Sequence, residues 1–375
     1  MNQETTLIAP WLKPLWQSLD QANFPNAILL HGQSGIGKFA FAVELAKALL
    51  CEGLGHGSKP CNQCEACHWF NAGNHPDFIS LVPETHRKFL PHADYEAEEG
   101  AKKGKASRDE DDGDSNDKKE KKNITIDDAR SAIECLGIGS HRGGNRIILI
   151  YPLELLRSEA ANTLLKSLEE PPENTIFILL ADRVDRVLPT IRSRCRLLSA
   201  PRPDRLQGLS WIRNEVSAVK GLNIPDSDLE TIYDEQGGAP YAVLNSVIAR
   251  HFQNDKDELT FSIQASRLLL QSMSQGVRLN WLDTAEKIHK AQYSLLLATM
   301  QRWVSDLQAV IQGGQPRYYP KHLNTLKGLS QSAQAGKLHQ FWKLLTQARR
   351  HENHPLANRI QLEALLSQYQ QVFQA

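Results

Sequence analysis

Through the first 200 residues, short apolar runs alternate with stretches of helical periodicity; beyond them only the helical pattern continues. The run Ala27–Leu30 leads into the glycine-rich segment Gly32–Lys38, and Phe39–Leu50, rich in alanine and leucine, reads as a helix. Further apolar runs cover Phe78–Val82, Arg146–Ile150 and Thr175–Leu180. The run at Arg146 follows a segment opened by Thr125-Ile126-Asp127-Asp128, a helix-capping pattern, and the run at Thr175 follows a helix predicted over Ser158–Leu168. Near-continuous apolar strands separated by helices predict a parallel sheet covered on both faces, an α/β domain over residues 1–200.

After Pro201-Arg202-Pro203 the strand pattern stops. Helices over Asp204–Val219, Asp226–Glu235 and Tyr241–Ala249 predict a small helical domain at 201–254, and residues 255–375 read as all-helical. There Leu296, Met300, Trp303, Leu307 and Val310 recur at spacings of four and three, which puts them on one stripe. The stripe reads as core, although periodicity alone does not separate core from a subunit contact. Residues 88–123 interrupt the α/β pattern with blocks of one sign, Asp109-Glu110-Asp111-Asp112 and Lys118-Lys119-Glu120-Lys121-Lys122. Such a stretch buries too little apolar area to offset the entropy of ordering it, so a disordered surface insertion is expected, its charges solvated rather than bound to DNA.

A chain of 375 residues is long enough for two or three domains at roughly 100–200 residues each, and three are expected here. Lys+Arg and Asp+Glu both number 43, so no global field draws in nucleic acid, and a protein partner is favoured. The beginning of the chain lacks the pattern of an export signal, and no run approaches the ~20 apolar residues of a membrane span, so a cytoplasmic location and no membrane partner are expected. In a reducing compartment the six cysteines are not expected to pair as disulfides.

Four of them cluster as Cys51, Cys61, Cys64 and Cys67, spaced C-x9-C-x2-C-x2-C. Four thiolates suit a closed tetrahedral structural site, which can organise a short module (51–67) that has no core of its own. Zinc and an iron–sulfur cluster draw on the same four ligands, and spacing does not choose between them. Cys135 and Cys195 read as packing residues.

Gly32-x-x-x-x-Gly37-Lys38, with Gly35 inside it, matches the phosphate loop, in which backbone N–H groups at a helix start cradle phosphates and the lysine reaches the terminal ones. The next residue should be Ser or Thr, to hold Mg²⁺; it is Phe39. An acidic pair is expected after the strand Arg146–Ile150; Tyr151 and Pro152 stand there, and Glu154 lies two places further on. Phosphoryl transfer depends on positioning and charge neutralisation, so these losses argue against hydrolysis. The loop then reads as a turn retained by the fold, with no productive ATP binding expected.

With these motifs the chain resembles clamp-loader subunits of the AAA+ class, and among them the delta-prime branch associated with bacterial DNA polymerase III. The resemblance is carried by His75-Pro76-Asp77, by Ala161–Lys166 with Leu168-Glu169-Glu170-Pro171, and by Leu188–Cys195 with its Ser193-Arg194-Cys195 core. The cysteine insertion, His354–Asn358 and Leu362-Glu363 extend it along nearly the whole chain. It implies an AAA+ domain, a helical lid domain and an all-α collar domain in a five-subunit ring with the delta and gamma/tau subunits, which loads a sliding clamp onto primed DNA. It implies that Arg194 acts as an arginine finger, in trans, on the ATP site of an adjacent subunit, and it favours zinc for the four cysteines. An arginine paired with a local carboxylate is the competing reading of Arg194. The lid arginine of active members is replaced here by Pro240, in Gly237-Gly238-Ala239-Pro240.

Two alternatives remain at this level. An ATP-hydrolysing motor subunit would need the residues that Phe39, Tyr151, Pro152 and Pro240 replace. A zinc-dependent nucleic-acid-binding module would want a basic and aromatic stripe that the sequence lacks.

Overall fold

The computed structural model describes residues 8–20, 23–53, 59–83, 90, 140–156, 158–219, 222, 224–251, 258–350 and 358–374. Apart from Leu90, the charged insertion at 88–123 lies outside the described residues, as do Thr125–Asp128, Cys135 and His354–Ala357. The chain divides into two compact units, Met1–Arg202 and Pro203–Ala375.

In the first unit, α1 (Lys13–Gln17) precedes β1 (Ala27–His31), α2 (Lys38–Leu50), α3 (Glu65–Asn71), β2 (Phe78–Leu81) and β3 (Arg146–Ile150). Then come α4 (Ser158–Glu169), β4 (Thr175–Ala181), the short α5 (Pro189–Arg192) and β5 (Arg196–Ser199). The strands form one sheet in the order β2-β3-β4-β1-β5, and every pairing is parallel. Every residue of β3 and β4 is buried, which is why both strands read as uninterrupted apolar runs. On one face Leu29, Ile148, Ile150, Phe177 and Leu179 share a core with Leu164 and Leu168 of α4. Each of these side chains contributes roughly 1.5–3 kcal/mol through burial.

β5 and α3 are absent from the sequence pattern. Only Leu198 of β5 is buried, because the strand lies at the edge of the sheet and pairs with β1 alone. α3 is capped by a cysteine: the Cys64 thiol accepts the Cys67 N–H, so its start signal was a metal-type residue rather than Ser, Thr or Asp.

The second unit is helical throughout its described residues: α6 (Arg205–Ala218), α7 (Asp226–Glu235), α8 (Pro240–His251), α9 (Glu258–Met273), α10 (Trp281–Ile288), α11 (Tyr293–Ile311), α12 (Leu323–Ser332), α13 (Ala335–Arg350) and α14 (Asn358–Gln371). Asp204 caps α6 by accepting the Gln207 N–H at 2.7 Å. Its buried residues fall into separate clusters, one from Leu209 to Val247 on α6–α8 and one from Ala265 to Phe373 on α9–α14. Gly208 lets α6 approach α7 closely, since a Cβ there would sit 2.2 Å from the Tyr233 hydroxyl.

The stripe on α11 is core: Leu296, Met300, Trp303 and Leu307 are fully buried, and Val310 is nearly so. Two polar contacts fix the register of its neighbours. Trp303 Nε1 donates to Tyr369 Oη at 2.8 Å, and Tyr369 Oη donates to the Met273 carbonyl at 3.0 Å, joining α11, α14 and α9. The buried Asp306 carboxylate accepts the N–H groups of Arg317 at 2.8 Å, Tyr318 at 2.9 Å and Tyr319 at 2.7 Å, fastening the loop that follows α11. Burial raises the Asp306 carboxyl above its ordinary range even though these donors oppose the shift.

Tyr369→Phe removes the acceptor of the Trp303 N–H and the donor to the Met273 carbonyl while conserving volume. It should lower stability by about 1–3 kcal/mol, read by denaturant unfolding with an unchanged m value.

Candidate functional site

Because all strands are parallel, their C-terminal ends lie along one edge of the sheet, where ligands of open α/β sheets bind. The register pairs His31 with Ala181 and Ile150 with Leu179, so the segments that follow β1, β3 and β4 emerge side by side. They carry the glycine-rich loop, Tyr151 and Asp182.

The loop has the conformation its glycines permit. Gly35 has φ of 75° and Gly37 of 91°, in the left-handed region, and Gly37 is the N-cap of α2. Gly32 passes so close to Ala200 that a Cβ would lie 3.2 Å from that residue's Cβ and carbonyl oxygen. Ile36 is fully buried, and its carbonyl accepts the Trp11 Nε1–H at 2.9 Å, which anchors the loop in the core.

Lys38 is drawn inward. Its Nζ donates to the Gln33 carbonyl at 2.7 Å and to Asp182 Oδ1 at 2.6 Å, with the lysine side chain 2% exposed and that of Asp182 25%. A phosphate would have to displace this carboxylate. Phe39 and Tyr151, at the two positions that should hold a metal, contact one another with ring centroids 5.3 Å apart. The Tyr151 hydroxyl donates toward Asp182 at 3.4 Å, and burial followed by the Asp182 charge keeps it protonated well above the usual range for a phenol. Two rings therefore occupy the neighbourhood in which a hydrolytic site would gather oxygen ligands.

Glu154 Oε1 accepts the Arg183 N–H, while Oε2 is buried without a hydrogen-bond partner among the described residues. Burial pushes this carboxyl above its ordinary range, and the nearby Asp182 charge adds to the shift. Asp182 was not singled out in the sequence. Its signal was positional: it is the first polar residue after a fully buried strand.

The four cysteines converge. Their sulfurs all lie within 4.8 Å of one another, with Cys51 and Cys64 at 3.9 Å and Cys61 and Cys67 at 4.0 Å. A disulfide needs about 2.0 Å, whereas a tetrahedron of sulfurs each about 2.3 Å from a metal has edges of about 3.8 Å. The N–H groups of Cys61, Cys64 and Cys67 point at the sulfurs of Cys51, Cys61 and Cys64 at 3.3–3.5 Å. Asn62 turns the chain with φ of 57°, and at Gly53 a Cβ would come within 2.9 Å of the Cys61 sulfur. N–H donors at Gln63 and Cys64 hold the Cys61 thiol down at about 6, whereas burial raises Cys51 and Cys67. These four residues could hold one metal ion, the donor set being closed and all-sulfur.

Arg142 ties this module to the sheet. Its Nε and Nη2 donate to Glu52 at 2.5 and 2.8 Å, Nη2 also reaches Glu65 at 3.3 Å, and the guanidinium stands 4.4 Å from the centre of the Trp69 ring. The backbone N–H groups of His141 and Arg142 donate to the buried Asp77 carboxylate at 2.9 and 3.3 Å, so Asp77 in His75-Pro76-Asp77 orders the approach to β3.

Arg194 follows α5 and is partly exposed. Its Nε donates to Glu169 Oε1 at 2.7 Å, Nη2 contacts the same oxygen, and Nη1 donates to the Thr190 carbonyl at 2.8 Å. The competing reading of this arginine, a local carboxylate partner, thus describes the chain by itself. Cys195 packs against the sheet core, and burial pushes its thiol up to about 11. In the second unit, Gly237 and Gly238 have φ of 66° and 75° and close α7, and Pro240 is the first residue of α8, where its missing N–H costs nothing.

A five-stranded parallel sheet with a glycine-rich loop after β1 and a lysine opening α2 defines a phosphate-loop α/β domain, here with its metal-binding positions filled by rings. A family model described as DNA polymerase III, delta subunit, matches residues 9–204, just over half of the chain, and the chain belongs to that family. It is 32% identical over 234 residues to DNA polymerase III subunit delta' of Pseudomonas aeruginosa, covering 62% of this chain and 59% of that protein. It is 30% identical over 212 residues to the subunit of the same name from Escherichia coli, covering 56% of this chain and 53% of that protein. The similarity therefore spans little more than half the length of these relatives. A solved gamma subunit-related protein of DNA polymerase III from Thermotoga maritima is 14% identical, with a TM-score of 0.41 over 97% of this chain and all of that one. Among the described residues no helix is long and apolar enough to cross a membrane.

Glu154→Gln replaces a half-buried carboxyl by a neutral group of the same shape. A carboxyl whose folded pKa is raised destabilises the fold at pH above that value and ceases to do so as the pH falls into the ordinary carboxyl range, about 4. The variant should be more stable than the parent at pH 8 and should lose that advantage toward pH 4, as followed by denaturant unfolding across the range.

Proposed function

We propose that this chain is the non-hydrolysing delta-prime subunit of a cytoplasmic DNA polymerase III clamp loader. It works in a five-subunit ring with the delta and gamma/tau subunits, and the assembly loads the sliding clamp onto primed DNA. It contributes no ATPase of its own and lends Arg194 in trans to the ATP site of an adjacent gamma/tau subunit. In this reading residues 1–200 form the AAA+ domain, 201–254 the lid and 255–375 the collar. The separate apolar clusters on α6–α8 and α9–α14 support the last division.

One observation carries the proposal: Phe39 and Tyr151 face each other where the metal would be held, with Lys38 neutralised by Asp182 beside them. A site so filled has nothing with which to neutralise a triphosphate or orient water. Gly32, Gly35, Gly37 and Lys38 then persist as a structural turn that binds no ATP productively. Arg194, in contrast, is partly exposed in an ion pair of the kind worth about 0–1 kcal/mol, so it stays within reach of a neighbour's phosphate. A guanidinium suits the task through its permanent charge and paired donors.

Cys51, Cys61, Cys64 and Cys67 hold a structural zinc ion in this reading. Zinc has no redox role to play in a closed four-thiolate site, and its charge would compensate the buried thiolates. No step of the subunit's work passes through it.

The purified chain should release no phosphate from Mg²⁺·ATP. Assembled with its ATPase partner, Arg194→Ala should leave the complex intact and lower DNA-stimulated turnover by about 10³-fold or more if the finger matches those of GTPases. Unchanged turnover, or steady hydrolysis by the chain alone, would reject the proposal. For the metal, a strong chelator under reducing conditions should remove about one equivalent of zinc and lower the unfolding temperature, and Cys64→Ser should reproduce the shift without chelator. Absence of zinc from protein purified without chelator would refute this assignment.

A further inference from the structure

Arg194 and Glu169 belong to separate sequence motifs, 25 residues apart, and they meet at the end of α4. We propose that Glu169 is a positioning residue for Arg194, holding the guanidinium so that its outer edge faces an adjacent subunit's phosphate. The inference rests on the finger role of Arg194 proposed above.

The contact pattern points this way. A planar guanidinium has five N–H groups and two forked edges, one between Nε and Nη2 and one between Nη1 and Nη2. Glu169 Oε1 takes the first edge, receiving Nε at 2.7 Å and Nη2 more closely. The Thr190 carbonyl holds Nη1 at 2.8 Å, with a longer contact of 3.3 Å to Ser193 Oγ, and Ser193 Oγ itself donates to the Thr190 carbonyl at 3.1 Å. Glu169 leaves the second edge, between Nη1 and Nη2, as the fork for two phosphate oxygens, with Nη1 exchanging its Thr190 and Ser193 contacts for the phosphate. The arginine side chain is 31% exposed and that of Glu169 48%, so the pair lies where a neighbour can reach it.

Glu169 is also poorly placed for helix stability. It is the last residue of α4, where the helix dipole disfavours a carboxylate. A residue that costs its own helix something is explained by what it holds. Arginine carries about four rotatable side-chain bonds, and fixing them before the partner docks removes that ordering from the reaction itself.

The test uses the assembled complex with Mg²⁺·ATP and DNA, and a cycle of Glu169→Ala, Glu169→Gln, Arg194→Ala and the Glu169→Ala/Arg194→Ala double variant. Glu169→Ala should lower kcat about tenfold, with KM for ATP within about twofold, since orientation is lost while ground-state binding is kept. Glu169→Gln keeps an acceptor for Nε and should restore most of the rate. In the Arg194→Ala background, Glu169→Ala should have no further effect. If Arg194→Ala slows turnover but Glu169→Ala leaves it unchanged or faster, the positioning role falls and the finger stands. An equal loss from Glu169→Ala in both backgrounds also overturns the inference, because the carboxylate then acts through something else. If Arg194→Ala has no effect, the finger and the positioning role fall together.

Discussion

The parallel pairing of β1 with β4 and of β4 with β3 decides what the first unit can and cannot do. It brings three chain segments out at one edge, so the glycine-rich loop, Tyr151 and Asp182 must share a small space. Whatever side chains stand there define the chemistry. In this chain they are a lysine already matched to a carboxylate and two rings in contact. The pair is only part-buried, with the lysine side chain 2% exposed and the aspartate 25%, and it satisfies the lysine charge within the chain.

The same economy runs through the remaining features. Trp11 bonds the loop at Ile36, and Asp77 orders the residues before β3. Arg142 joins that turn to Glu52 and Glu65, which flank the cysteines. Among the described residues of the cysteine module, order comes from the sulfur cluster, the Asn62 turn with its Lys47 contact, the packing of Phe70 against Phe78, and this arginine. In the second unit, buried polar contacts do similar work on a larger scaffold, with Asp306 and the Trp303–Tyr369 pair fixing how the helices around α11 meet.

The motif-bearing arginine is held differently. Arg194 has an anionic partner in its own chain, yet both side chains remain in contact with solvent. Glu169 takes one edge of the guanidinium, and Nη1 turns to the Thr190 carbonyl, so local contacts orient the group without burying it.

The sequence by itself determined the class of fold and most of its elements, since β3, β4, α2 and the helices after Pro203 announce themselves by unbroken burial or by 3.6-residue periodicity. It also placed Phe39, Tyr151 and Pro152 at the spacings where a hydrolysing phosphate-loop site carries oxygen ligands. It did not reveal β5, which is mostly exposed and is held by its pairing with β1 rather than by an apolar pattern, nor α3, whose cap is a cysteine. Only the tertiary structure decided that Lys38 is paired with Asp182, 144 residues away, that Phe39 meets Tyr151, and that Glu169 holds Arg194. Periodicity reports which face of an element is buried, and a motif reports which atoms are present. Which distant side chains meet is set by strand order and register, and that is a property of the assembled sheet.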